Sequence, residues 1–569
     1  MRRIQLCKAK EGCNEFHHLF LVRLLGTQRT TRGHSVVIKI CIERRVCQLG
    51  SSFLSRENTH KRTMVHSNFL FSATVVHIFT VGTSVAFLLP NKPKSSQIVH
   101  LAKKQRASHR NTLLFSSSSS GAISARNLEF QIHPSIQDIS ADAWDKCLAE
   151  DESSSPFLQH SWLRCMEESK CASAATGWAP QHMSIRIDGK QWGFVPLYLK
   201  GHSMGEFIFD NSWADAAHQF GIRYYPKLLV GVPFTPATGQ RILFHPYVRA
   251  SSSMVEMAEL RLQVAKFLRQ VAASNGISSI HFNFLTEQEA TDLAGPLPLA
   301  DVEVGIHNQV KELFKRLTTR NNKEEYLRRT SLQYHWKNEN PKNENKPYLS
   351  FDDYLGAFKS KRRITIRRER RKVLEDENIR IDAIVGKDIL KYDGLLDRMF
   401  EIYVSTIDKM FWGRQYLTKE FFQLLGKSDF IDNLCFMCAR TSSVGEEFKA
   451  DDVFAGTFNI IKNGVFYGRY WGCLKEVKNL HFETCYWSAI EFCIKNGLQR
   501  MEPGAGGGDY KWARGFDPAL IHSAHYICNP ALRQAVAQFL EYETENNVEL
   551  TRYLAKRSVI GNGSKAAQH

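Results

Sequence analysis

A helix, an Asn-Gly stop and a strand follow one another twice in this chain, and this recurrence limits its fold more than any other feature. In the first copy, Met254–Ser274 sets Val255, Leu262, Ala265, Leu268 and Val271 near one helical stripe, Asn275-Gly276 ends it, and Ile277–Leu285 reads as a strand. In the second, Tyr486–Lys495 supplies the helix, Asn496-Gly497 the stop, and Leu498–Met501 a strand that enters the glycine-rich Glu502–Asp509. Upstream of each copy stands a further pair of echoes. GFVPLYLK (193–200) is matched by GTFNIIK (456–462), and GEFIFDNSW (205–213) by GVFYGRYW (464–471). Each pair reads as two strands joined by a Gly-containing turn, a hairpin. Two similar units of mixed helix and strand follow, an α/β or α+β architecture and neither a bundle nor an all-β sandwich.

A chain of 569 residues exceeds what one hydrophobic core serves, so more than one domain is expected. Its formal charge of +17 invites a nucleic-acid partner, but the charge is not spread evenly. Residues 1–126 hold 20 Lys/Arg against 4 acids, whereas the rest carries 55 against 54. The folded part is balanced, and it has no recognised RNA-binding motif. The basic, acid-poor first 125 residues, rich in Ser and Thr and ending near Ser116–Ser120, read as a plastid or mitochondrial transit segment, the plastid being favoured. Within it Phe69–Leu89 is a charge-free apolar run, long enough to anchor in a membrane but weakened by His77, Gly82 and its hydroxyls. Met64 offers an alternative start, which would leave residues 1–63 outside the gene product. Thirteen irregularly spaced cysteines make no disulfide framework. The lone Cys435-Phe436-Met437-Cys438 lies in a strand-like run with no second pair at zinc spacing, so no metal is assigned.

Longer strings carry a family likeness: SPFLQHSWLRCMEESK (155–170), TGWAPQHMSIR (176–186), PLYLKGHSMGEFIFDNSWADA (196–216) and RYYPKLLVGVPFTPATGQRIL (223–243). In the second half come QYHWKN (333–338), SFDDYLGAFKSKRRITIRRERRKV (350–373), YGRYWGC (467–473), LHFETCYWSAIEF (480–492) and ARGFDPALIHSAH (513–525). Over residues 156–545 the chain resembles the FemAB-like, GNAT-type N-acyltransferases. The resemblance implies tandem GNAT-like units with mixed central sheets, and transfer of an acyl or aminoacyl group to an amine. The expected organisation is an extension over 1–125, a first unit over 127–300, an insertion or linker over 301–350, a second unit over 351–545 and a tail over 546–569. The R/Q-x-x-G-x-G/A segment that cradles coenzyme A pyrophosphate in GNAT enzymes is absent from Gly472–His481. Acyl-CoA therefore stands beside aminoacyl-tRNA or a nucleotide-linked group as donor, with a small amine as acceptor.

Such transfer needs a polarised carbonyl, a neutral amine and an acid for the leaving group. Glu483 and His481, at the start of a helical pattern, read as cap or general base and as proton relay. His525 reads as a positioning or relay residue, because no nucleophile elbow accompanies His522-Ser523-Ala524-His525. Asp210, read as part of the first unit's second strand, is a further carboxylate candidate, with Glu206 beside it. Gly504, Gly506, Gly507 and Gly508 with Lys511 and Arg514 form a candidate anion-binding loop. Lys359–Lys372 packs nine cations on a helical segment, among them Arg362, Arg363 and Arg367, and reads either as a solvated face or as a seat for a phosphate-bearing donor. Trp213, Tyr224-Tyr225, Tyr334-His335-Trp336 and Tyr470-Trp471 are core or pocket aromatics. The competing class is a non-catalytic phospho-ligand or nucleotide-binding protein on the same fold.

Overall fold

The computed structural model describes residues 127–151, 154–297, 326–409, 414–441 and 447–560, with strand backbone at Phe20–Leu24, Ile40–Arg44 and Thr112–Phe115. The chain divides into Met1–Lys92 and Pro93–His569. In the first unit, Phe20–Leu24 pairs antiparallel with Ile40–Arg44. The transit reading of 1–125 and the apolar run 69–89 fall almost wholly outside the described residues, and the stretch 301–325 does so entirely.

The architecture of Pro93–His569 is a tandem of two halves with the same strand order. The first half lays Leu128–His133 against His182–Ile187 and this strand against Lys190–Val195, all antiparallel. Past Gln181 and Pro196 the same hairpin continues as Trp178–Pro180 paired with Leu197–Lys200, and Pro196, lacking an N–H, marks the bend from one sheet into the next. Lys227–Val230 then pairs antiparallel with Leu197–Lys200 and parallel with Ser279–Leu285. The second half repeats the order: Ile379–Val385, Leu434–Thr441, Val453–Lys462 and Val465–Cys473 are antiparallel neighbours, and Arg500–Glu502 lies parallel to the last.

Each half gives its final strand to the other. Leu327–Lys337, from the first half, pairs with Arg500–Glu502 of the second. Asp517–Ile527, from the second, pairs with Ser279–Leu285 of the first, and the two exchanged strands pair with each other. One 11-stranded sheet therefore runs through both halves.

Local chemistry explains the elements that sequence located. Ser253 and Glu256 close a capping box at the head of Met254–Asn275, and Gly276 ends that helix at φ 62°, a left-handed conformation cheap for glycine. Gly497 performs the same task after Ser488–Lys495 at φ 65°. Cys435 and Cys438 lie on one strand but join different apolar clusters, so their sulfurs are on opposite faces of the sheet.

Three expectations are corrected. The stretch read as a linker contains the central strand Leu327–Lys337, whose polar composition misleads because tertiary partners satisfy it: Arg329 meets Glu543, and Arg328 donates to the Gly295 carbonyl. The segment 205–213 is not a strand but a bend leading into the helix Asn211–Gln219, which moves Asp210 from a strand to a helix cap. The hairpin partner in the first half is Lys227–Val230, buried on both faces, where alternation is not required. The supposed tail begins inside Pro530–Lys556, a helix that buries Leu540, Thr544 and Val548 at four-residue spacing. Among the described residues no helix is long and apolar enough to cross a membrane.

Candidate functional site

The parallel strands of the second half separate. Val465, Phe466 and Tyr467 pair with Arg500, Met501 and Glu502, after which the short strand ends while the long one continues to Cys473. From Gly468 to Gly472 that edge has no strand partner among the described residues. At the point of separation the antiparallel side is irregular too: Asn459 faces Gly468 and Phe458 faces Tyr470, leaving Arg469 as a bulge. The bulge aims Arg469 across the boundary between halves, where it lies 5.2 Å from the Phe157 ring and donates to the Phe234 carbonyl.

Glu502 and His335 face this opening. Glu502 accepts from Arg500 at 3.0 Å on one oxygen, while its second oxygen is buried without a partner. Gln333 donates its amide N–H to the Pro236 carbonyl at 3.0 Å, so its oxygen is free to accept from His335 Nε2 at 3.1 Å. That assignment puts the imidazole proton on Nε2 and the lone pair on Nδ1. Burial lowers the His335 pKa, with Glu502 opposing, so the ring is neutral near pH 7. Neither Gln333 nor Glu502 stood out in the sequence. His335 did so only within an aromatic island, because the i, i+2 spacing that sets Gln333 beside it gains meaning only once the segment is known to be a strand.

The glycine loop lies next to this opening. A Cβ on Gly504 would come 3.3 Å from the Gly468 carbonyl, and one on Gly508 would overlap Tyr334. Gly504, Gly506 and Gly507 all take positive φ, which the loop's path requires. Lys511, 2% exposed, donates to the Gly504 carbonyl at 2.7 Å, and burial pushes its pKa down to about 8. Arg514 stacks 3.6 Å over Phe482 and donates to the Tyr510 carbonyl, with its Nε buried and unpaired. Burial, with Arg362 adding repulsion and Glu369 opposing, takes its pKa to about 10. His481 is held near 4 by burial together with the charges of Arg514 and Lys511. Arg362 reaches the same place by donating to the Ala513 carbonyl at 3.1 Å, and its Nη2 is buried and unpaired. The structure thus brings Lys511, Arg514, Arg362 and His481 together around the loop.

The other sequence candidates divide. Glu483 opens the π-turn Glu483–Trp487, where it pairs with Arg370 at 3.0 Å and accepts from Ser488 at 2.8 Å. Arg370 also meets Glu491 at 2.6 Å, Arg367 meets Asp352 at 3.2 Å, and Arg363 donates to the Phe358 carbonyl. Much of the basic helix is thereby committed to neighbours, while Lys359, Lys361, Arg368, Arg371 and Lys372 face solvent. Asp210 and His525 lie elsewhere, in the first half, within a sealed group of Lys227, Glu206 and His281. Trp213 and Tyr224 are buried there as packing residues.

With this geometry in view, the family comparison decides the relationship: residues 135–559 match the FemAB-like family, described as peptidoglycan biosynthesis/recognition. The chain belongs to the FemAB-like family. Among solved structures, this FemAB-like chain is similar to FemX, with 10% identity and a TM-score of 0.39, covering 70% of this chain and 98% of that one. A tandem GNAT protein from the clavulanic acid biosynthesis pathway gives 12% identity and a TM-score of 0.32 over 71% and 99% of the two chains. The C-terminal domain of a putative lysylphosphatidylglycerol synthetase from Agrobacterium fabrum gives 8% and 0.35 over 71% and 96%. No curated protein matches the sequence.

Proposed function

We propose that this FemAB-like protein transfers an acyl or aminoacyl group to a small amine in the gap between Val465–Cys473 and Arg500–Glu502. The observation that carries this reading is the separation of those strands at Tyr467 and Glu502, with the bulged Arg469 and the Gln333-oriented His335 beside it. A strand edge without a partner offers N–H donors to the donor's carbonyl, which develops negative charge as the amine attacks. His335 Nδ1 is the base: it takes the proton released as the new C–N bond forms, while the bond from the carbonyl carbon to the leaving oxygen or sulfur breaks. The leaving group then takes a proton back, and no other reactant is needed. Glu502 Oε2, buried and unpaired, would hold the resulting imidazolium or the incoming ammonium.

The donor's phosphate-bearing part is assigned to Lys511, Arg514 and Arg362. The buried, unpaired Arg514 Nε and Arg362 Nη2 suit an anion, with the Lys511 ammonium beside them. That chemistry is common to acyl-CoA, an aminoacyl-tRNA end and a nucleotide-linked group. The acid-poor, Ser-rich extension supports work in a plastid. The test is a thermal-shift scan of the full chain with acyl-CoA, free coenzyme A and aminoacyl-tRNA, followed by transfer assays with the donor that binds. Loss of transfer in His335→Gln with donor affinity retained is expected. Full transfer in that variant, or no stabilisation by any of the three donors, would overturn the reading.

A further inference from the structure

The strand registers of the two halves correspond at their centres. The exchanged strands each have 11 residues, so Leu327–Lys337 lies on Asp517–Ile527, placing His335 on His525 and Gln333 on Ser523. The helix-stop glycines set Gly497 on Gly276, which places Met501 on Ile280 and Glu502 on His281. Strand register agrees: Trp336 pairs with Met501, and its counterpart Tyr526 pairs with Ile280. The orienting contact recurs as well, since His525 Nε2 meets Ser523 Oγ at 2.8 Å as His335 Nε2 meets Gln333 at 3.1 Å. His281 completes the twin, with Nδ1 2.7 Å from His525 Nδ1 and Nε2 2.8 Å from Ser279 Oγ.

What differs is the connection before the parallel strand. In the second half it is the two-residue turn Asn463-Gly464. In the first it is Gly201–Pro226, which folds over the twin. Trp213 of its helix packs edge-on to His525 at 5.0 Å and alongside His281 at 6.5 Å, leaving both histidines 1% exposed. Its Asp210 and Glu206 take Lys227 Nζ at 2.5 and 2.9 Å, and Glu206 lies 3.9 Å from Lys200. Both lysines belong to strands of the sheet and are fully buried.

This cover is imperfectly seated. Glu206 Oε1, Asp210 Oδ1 and Trp213 Nε1 are buried without hydrogen-bond partners, and Phe209 and Phe220, at the two ends of the helix, are 66% and 77% exposed. A buried polar group without a partner, such as Asp210 Oδ1 or Trp213 Nε1, destabilises the closed arrangement, and opening would relieve it. We propose that the first half holds a second ligand site at Lys227, Lys200 and the His281–His525 pair, taking a carboxylate-bearing small molecule where Asp210 and Glu206 now sit. An anion is required to keep Lys227 paired once the cover lifts, and the two carboxylates that hold it in the closed form set the class. This site lies apart from the one assigned to transfer and stands or falls independently of it.

Hydrogen–deuterium exchange of the full chain, with and without succinate, reads the proposal directly, in the wild type and in Asp210→Asn, which weakens the cover's hold on Lys227. Succinate is expected to quicken exchange across residues 205–219 while slowing it in 279–285 and 521–527, with at least tenfold tighter binding to Asp210→Asn. Trp213→Phe, a smaller cover with its ring retained, is expected to respond in the same direction. Unchanged or slowed exchange over 205–219 in all three proteins overturns the second site. Protection confined to 467–511 also overturns it, while leaving the transfer site intact.

Discussion

Gly472→Ala is the severest single-methyl test of the strand edge assigned to the donor. A Cβ at Gly472 would lie 1.6 Å from the Ile402 carbonyl oxygen and 2.3 Å from its carbon. The obstacle is the backbone of the helix Leu395–Lys409, which no rotamer change relieves. An ordinary contact is about 3.4 Å or more, so helix and strand must part by nearly 2 Å. Met399, Ile402 and Tyr403 would then withdraw from the largest core cluster, and the bond from Cys473 N–H to Ser405 Oγ, now 3.0 Å, would break. Overpacking of a tight core costs about 1–3 kcal/mol, and a lost buried bond about 1 kcal/mol more. We therefore expect a loss of about 2–4 kcal/mol by urea denaturation, with donor binding impaired. Gly506→Ala is the control: nothing lies within 4 Å of its Cβ position, and its φ of +77° limits the cost to about 1 kcal/mol. Equal stability losses in the two variants would refute the argument from close approach.

Lys227→Met strands the buried Asp210 carboxylate and leaves Glu206 only Lys200, and should cost about 3–5 kcal/mol at pH 8, less at pH 5, where protonation removes the unpaired charge; a pH-independent loss in urea midpoints would contradict this. Burial, with nearby cations, holds His281 and His522 near 3. Below about pH 6.5 the unfolded chain binds protons these rings refuse, so stability should fall with pH by up to about 1.4 kcal/mol per unit for each. His522→Asn should flatten that slope, as measured by urea midpoints between pH 7 and 5. Lys511→Met should weaken donor binding about tenfold or more, whereas Arg371→Ala, on the solvent face of the basic helix, should change it little at 0.15 M salt; calorimetry distinguishes the two.

The sequence by itself determined the parts that chain-local physics controls. Helix stops at Gly276 and Gly497, the capping box at Ser253, the positive-φ glycines of the 504–508 loop and the uneven charge of the extension each depend on residues a few positions apart. The duplicated order of helix, stop and strand, and the family strings along it, were legible for the same reason. Tertiary structure decided the rest. Leu327–Lys337 looked like a linker because its arginines are satisfied by groups distant in sequence, among them Glu543, Phe209 and Gly295. Asp210 looked like a strand charge because Lys227 and Tyr224, which hold it, lie beyond a bend. The exchange of final strands is what sets His335 beside Glu502 and His525 beside His281. A sequence records which strands form, whereas pairing is chosen by burial across the whole sheet, and the chemistry of both sites follows from that choice.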